Sequence, residues 1–122
     1  MNLSKPLLLL TLAGALLAAD PAVTQASKLI AEKKFDAAVT LLEGANKANP
    51  KSIELQKAMG EALAAKGDSI MYDDSLSPRT KYPDALRLYR RALSYDKSNQ
   101  KAKSSVDTIE AIYKSMGRPI PQ

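Results

Sequence analysis

The sequence predicts an all-α fold in which helices pack in pairs, and an internal repeat is the main observation behind it. The segment Phe35–Pro50 recurs as Tyr82–Lys97. Each copy has an aromatic start, then Ala, a large apolar residue and Ala again, as the aligned pairs Phe35/Tyr82, Ala38/Ala85, Leu42/Tyr89 and Ala45/Ala92 show. Spacings of three and four residues place these positions on one face of a helix, where small side chains let another helix approach closely.

Composition supports the same fold class and excludes several kinds of site. The chain has 122 residues, enough for one small domain, with one Phe and no Trp. Such a core must be built mainly from small and aliphatic side chains, which suits closely packed helices. Cys and His are both absent, which removes disulfides, thiolate or imidazole metal ligands and Cys-based or His-assisted nucleophiles. The net charge of +5 weakly favours acidic partners or surfaces.

The first 19 residues have the pattern of a secretory signal peptide. Lys5 gives a positive start, an apolar run follows to Ala19, and Leu17-Ala18-Ala19 is an acceptable cleavage site. The apolar run stops at Asp20 after about 13 residues, short of the roughly 20 that span a bilayer. We therefore expect an exported protein, periplasmic or secreted, with no stable membrane span after cleavage. An uncleaved anchor is the alternative.

Capping signals divide the rest of the chain into five expected helices. Asp20-Pro21 opens the first, which is expected to continue to about Lys33. The first copy of the repeat gives the second helix, Asp36–Ala48, in which Gly44 is tolerated if a neighbouring backbone packs against it. Ser52 caps the third helix, which is expected to turn at Gly67-Asp68, and the second copy gives the fourth, with Pro83 in its first turn. The last helix covers residues 100–116, and residues 117–122 form a tail.

The two copies start 47 residues apart, at Phe35 and Tyr82. That offset exceeds the period of about 34 residues of a tetratricopeptide repeat, and residues 69–81 account for the excess as an insertion. With that allowance, the sequence resembles the tetratricopeptide repeat family in three features: the Ala positions shared by the two copies, the element Met59-Gly60-x-x-Leu63, and Pro50. The resemblance implies repeat one at 20–52, repeat two at 53–99 and a capping helix at 100–116, stacked as a right-handed superhelix of helix pairs.

The resemblance also implies a non-enzymatic module that binds a protein or peptide segment on its concave face. The first helix of each pair would line that groove, which indicates Val23, Ser27, Ile30, Glu54, Lys57, Glu61, Ala64, Lys101, Ser104 and Thr108. The family's clamp for a peptide carboxylate is not reproduced, since of the corresponding residues only Lys101 fits. If the partner is acidic, Lys57 and Lys101 are expected to contact it. The competing interpretation is a subunit that self-associates to compensate for a short array.

Other residues give weaker indications. The insertion contains Tyr72, Asp73, Asp74 and Arg79, which could form a contact loop but lack the spacing of a Ca²⁺-binding loop. A basic stripe, Arg87, Arg90 and Arg91, lacks interleaved aromatic residues, so a solvated face is expected rather than a nucleic-acid site. No spacing of carboxylates, Lys or Ser singles out a catalytic group. We expect no enzymatic activity, metal or cofactor.

Overall fold

The structure is a computed structural model that describes residues 20–122, and the predicted signal segment Met1–Ala19 lies outside the described residues. The described part contains five helices and no strand. They are α1 (Pro21–Ala31), α2 (Phe35–Ala48), α3 (Ile53–Met71), α4 (Pro78–Tyr95) and α5 (Gln100–Ser115). The predicted all-α class is therefore confirmed for this part of the chain. Successive helices pack against one another, and α1 also contacts α3.

Three helices begin at polar caps that satisfy free backbone N–H groups. The Asp20 carboxylate accepts from Ala22 N at 2.8 Å, the Ser52 hydroxyl from Leu55 N at 3.2 Å and the Asn99 amide oxygen from Ala102 N at 2.9 Å. The predicted starts at Asp20 and Ser52 are thus confirmed, because a short side-chain oxygen can reach the first turn only from the cap position.

Two helices end in the same hydrogen-bonded motif with different residues at its left-handed position. After α1, Lys33 has φ 61°, and the N–H groups of Lys33 and Lys34 donate to the carbonyls of Ile30 and Leu29. After α5, Gly117 has φ 65° and makes the equivalent bonds together with Arg118. Both are Schellman motifs, which normally favour Gly. Helix α1 ends at Ala31, two residues before the expected end.

The expectation that residues 69–81 form an insertion between helices is wrong at both ends. Helix α3 continues through Gly67 and Asp68 to Met71, and α4 already begins at Pro78. The non-helical connection is therefore residues 72–77 alone. Met71 is buried and Ile70 packs against the core, so tertiary packing extends α3 beyond its Gly.

The start of the fourth helix also differs from the prediction. Pro78 lies in the first turn of α4, where no N–H is needed, and Pro83 is inside the helix rather than in its first turn.

The repeated positions form the centre of the core. Ala38, Leu42, Ala85, Tyr89 and Ala92 are each 0% exposed, and Ala45 is half-buried against them. The predicted packing face of the two repeat copies is therefore the face that α2 and α4 bury. Helix α3 packs against both α2 and α4, and its Leu55, Met59 and Leu63 are among the largest fully buried side chains.

Gly44 does not have the role that we expected. Among residues 20–122, a Cβ built at this position meets no atom within 4 Å, and the residue is exposed. No backbone of another described segment packs against it, so its helix carries the conformational cost of Gly without a packing gain from that part of the chain.

The end of the chain folds back onto the helices instead of extending away from them. Ile120 packs against the core, and the Arg90 guanidinium donates to the Pro121 carbonyl at 2.6 Å. Within residues 20–122, none of the helices is both long and apolar enough to cross a membrane.

Candidate functional site

An open groove lies between α3 and the start of α5. It has a volume of about 390 Å³. Ala64 and Ala65 of α3 are small residues on its wall, and the polar lining consists of Glu61, Asp68, Asp96, Asn99, Gln100 and Lys101. We call this feature the α3–α5 groove. Small residues on one wall and charged groups around it make a surface that can hold a long side chain.

Asp68 holds two groups from two other helices at the edge of the groove. Its Oδ1 accepts a hydrogen bond from the Tyr89 hydroxyl at 2.5 Å, and its Oδ2 lies 2.8 Å from the Lys101 ammonium. The hydrogen bond to the Asp68 carboxylate, and then its charge, raises the pKa of Lys101. Asp68 therefore links α3 to both α4 and α5, and it already neutralises Lys101.

Tyr89 is the buried part of this network. Its side chain is fully buried, and burial together with the hydrogen bond to Asp68 raises the pKa of Tyr89 far above its ordinary value. The phenol therefore stays protonated and keeps donating well above neutral pH.

The ring of Tyr89 fits only because residue 67 is Gly. A Cβ at Gly67 would lie 2.8–3.0 Å from three ring carbons of Tyr89. This is a close approach of α3 to α4 that any larger residue would disturb.

Asp96 lines the other side of the groove, in the connection between α4 and α5. Its Oδ1 accepts from the Ser98 hydroxyl at 2.6 Å and from the Ser98 backbone N–H at 3.0 Å. These bonds lower the pKa of Asp96, and the charge of Lys57 makes a smaller contribution in the same direction. A Cβ at Gly60 would be 3.1 Å from the Asp96 Cβ, so the Gly60 element brings this connection close to α3. Asp96 is thus an ionised group in a defined position.

Only some of the predicted groove residues lie together in the structure. Glu61, Ala64 and Lys101 line the α3–α5 groove together. Val23 and Ile30 are instead half-buried against the core, and Glu54 accepts a hydrogen bond from Asp20 N at 2.9 Å. The remaining members, which do not line it, are Ser27, Lys57, Ser104 and Thr108, all of them exposed.

Several groove residues were missed by sequence reasoning, and one of them carried a usable signal. Asp68 follows Glu61 by seven residues, which places both on one helix face. It was missed because the third helix was expected to turn at Gly67-Asp68. Asp96 and Asn99 belong to a connection whose position depends on how α4 and α5 pack, so no local pattern indicates them.

The residues of the predicted insertion do not form one site. Tyr72 is 69% exposed, and Arg79 lies in the first turn of α4. Asp73 accepts from the hydroxyl and N–H groups of Ser75, and these bonds lower its pKa. Asp74 is exposed. The short connection thus satisfies its own polar groups.

The basic stripe on α4 consists of arginines that each have an acidic partner. The ion-pair distances are 3.1 Å for Arg87–Asp84, 3.3 Å for Arg90–Glu110 and 3.4 Å for Arg91–Glu43. Two of these pairs connect α4 to α5 and α2. The stripe therefore contributes to helix packing.

Across residues 20–122, no group of three or more Asp and Glu side chains is arranged to hold a metal ion.

Comparison with known proteins gives no assignment. No family model matches the chain, and no curated protein or solved structure is significantly similar to it.

Proposed function

We propose that this chain is a non-enzymatic protein-interaction module that binds a segment of another protein in the α3–α5 groove. The groove itself carries the proposal, because it is open, has small residues on one wall and has polar groups held in place by Asp68 and Ser98. Preorganised groups of this kind favour binding because little order is lost when a ligand arrives.

We further propose that the helices form a tetratricopeptide-like array of two helix pairs and a capping helix. The contact of α1 with α3, in addition to those between successive helices, supports this arrangement. Burial of Ala38 and Ala85 at equivalent places in the two repeat copies also supports it. In such an array the α3–α5 groove lies between the leading helix of the second pair and the capping helix.

The proposed location is the bacterial cell envelope or the outside of the cell, after cleavage between Ala19 and Asp20. The described fold is compatible with cleavage at this position, because Asp20 is itself the cap of α1 and its N–H donates to Glu54. Mass spectrometry of the protein from its native host tests the proposal. A mature chain that begins at Asp20 is the expected result. A full-length chain in the membrane fraction would replace the proposal with a membrane-anchored scaffold.

Crosslinking from a single introduced thiol tests the binding function. Because the sequence has no Cys, a photoreactive maleimide attached to Gln100→Cys reports only on the groove. Thr40→Cys on the exposed side of α2 is the matched control. The proposal expects one defined partner from an envelope extract at position 100 and not at position 40. Equal labelling at both positions, or none, would contradict the groove as the binding site.

Self-association is the second candidate function. It is favoured by the exposure of three large apolar side chains, Ile53, Tyr72 and Met116, which are 62%, 69% and 48% exposed. Sedimentation of the mature chain over a wide concentration range distinguishes the two. A concentration-dependent oligomer that yields no other partner in the crosslinking experiment would favour the structural subunit.

A further inference from the structure

The uncompensated charge of the α3–α5 groove is negative. Three carboxylates line it, those of Glu61, Asp68 and Asp96, against the single ammonium of Lys101. Lys101 is held by Asp68 at 2.8 Å. Glu61 takes part in none of the ion pairs found in residues 20–122. The groove thus presents two carboxylates, of Glu61 and Asp96, without a direct cationic partner in the described part.

This local sign is opposite to the charge of the surrounding chain. Lys5 is the one charged residue before Asp20, so residues 20–122 carry a net charge of +4 against +5 for the whole sequence. An acidic groove on a basic protein is not a consequence of overall composition. The charge of Lys57 acts on Asp96 only as the smallest contribution to its lowered pKa.

The lining of the groove also suits a long cationic side chain. The aliphatic stem of Lys or Arg packs well on a small, partly exposed apolar residue such as Ala65 while its head group stays at the polar edge. A guanidinium can donate to more than one carboxylate oxygen at once, which makes Arg the stronger ligand for paired carboxylates.

We infer that the partner segment is basic and that it places an Arg or Lys side chain across Ala65, with its head group at Glu61 and Asp96. This inference rests on the proposed binding function and adds the chemistry of the partner. It differs from an acidic partner held by Lys57 and Lys101, because the ion pair with Asp68 already occupies Lys101.

The test uses defined peptides and the chain from Asp20 to Gln122. The probe is a short acetylated and amidated peptide of Ala and Ser with three Arg residues. Its matched controls carry citrulline, which has nearly the shape of Arg without the charge, or Glu at the same places. We expect saturable shifts of backbone amide resonances of residues 61–68 and 96–101 with the Arg peptide alone. Affinity should fall as salt rises from about 0.05 M to about 0.5 M, because the contacts are partly exposed.

Variants then locate the contact. Glu61→Gln should weaken binding of the Arg peptide by about two- to five-fold, as expected for loss of one partly exposed ion pair. Glu61→Lys should abolish the preference for Arg over Glu peptides. Glu32→Gln, an exposed substitution of the same type that does not line the groove, should leave the affinity unchanged.

The outcomes separate this inference from the proposed function. Equal binding of the Arg and citrulline peptides, or equal effects of Glu61→Gln and Glu32→Gln, would overturn the basic-segment inference. The binding function would survive that result if position 100 still crosslinks one defined partner. Failure of the crosslinking experiment would instead remove the binding function itself.

Discussion

The left-handed residue after α1 offers the sharpest test of the backbone description. Lys33 has φ 61° in a position that normally favours Gly. For a residue with a Cβ, the left-handed region costs about 1–2 kcal/mol. Substitution by Gly removes this cost but loses about 0.5–1 kcal/mol of stability, because Gly has more conformational freedom in the unfolded state. Lys33→Gly should therefore stabilise the fold by about 0.5–1 kcal/mol. Lys33 is exposed and belongs to none of the ion pairs in residues 20–122, so its side chain contributes little that is lost.

Two companion substitutions make the test specific to backbone conformation. Lys34→Gly alters the next residue, which is also exposed but has φ −94°, and it should not stabilise. Gly117→Lys introduces the reverse change at φ 65°, where a Cβ would meet no atom within 4 Å. It should destabilise by an amount similar to the gain at position 33, since only the conformational cost differs.

The measurement is thermal and urea unfolding of the three variants beside the wild type. A gain of about 0.5–1 kcal/mol raises the midpoint by about 2–8 °C in a domain of this size. Equal midpoints for Lys33→Gly and Lys34→Gly would refute the argument, because only position 33 is left-handed, while Lys34 has in addition an exposed ion pair with Glu32 at 4.0 Å that its substitution removes.

Three further predictions use the same unfolding assays. Gly67→Ala should destabilise the fold by about 1–3 kcal/mol, because its Cβ would lie 2.8 Å from the Tyr89 ring. Gly44→Ala should instead stabilise it by about 0.5–1 kcal/mol. Changes of the same sign at the two positions would contradict the packing described. Stability should fall as pH rises above about 10, where unfolded Tyr ionises but buried Tyr89 does not. Tyr89→Phe should flatten that fall, and an unchanged slope would count against the buried phenol. Ala38→Leu and Ala85→Leu should each cost about 1–3 kcal/mol at fully buried sites, and midpoints equal to wild type would show that these positions are not in a close helix contact.

The features that were predicted correctly depend on local chemistry or on short-range periodicity. A cap such as Asp20 or Ser52 needs only its own side chain and the first turn of the following helix. The buried face of α2 and α4 follows from spacings of three and four residues that occur twice.

The features that were missed depend on contacts between distant segments. Gly67 and Asp68 have the composition of a turn. No local pattern shows that the Tyr89 ring, 22 residues after Gly67, packs on that Gly, or that the Tyr89 hydroxyl donates to Asp68. Propensity is a weak prior that packing overrides. The expected insertion followed from the 47-residue offset between the repeat copies, and its first residue was set by the turn expected at Gly67-Asp68.

The same error leaves Asp68 out of the predicted groove. With a turn expected at Gly67-Asp68, Lys101 is placed in the groove without its acidic partner, and it is expected to contact the bound segment if that segment is acidic. With α3 extended to Met71, Asp68 falls on the groove face and binds Lys101. One helix boundary therefore decides whether Lys101 is available to an acidic partner, and the Arg, citrulline and Glu peptides measure the preferred charge of the bound segment directly.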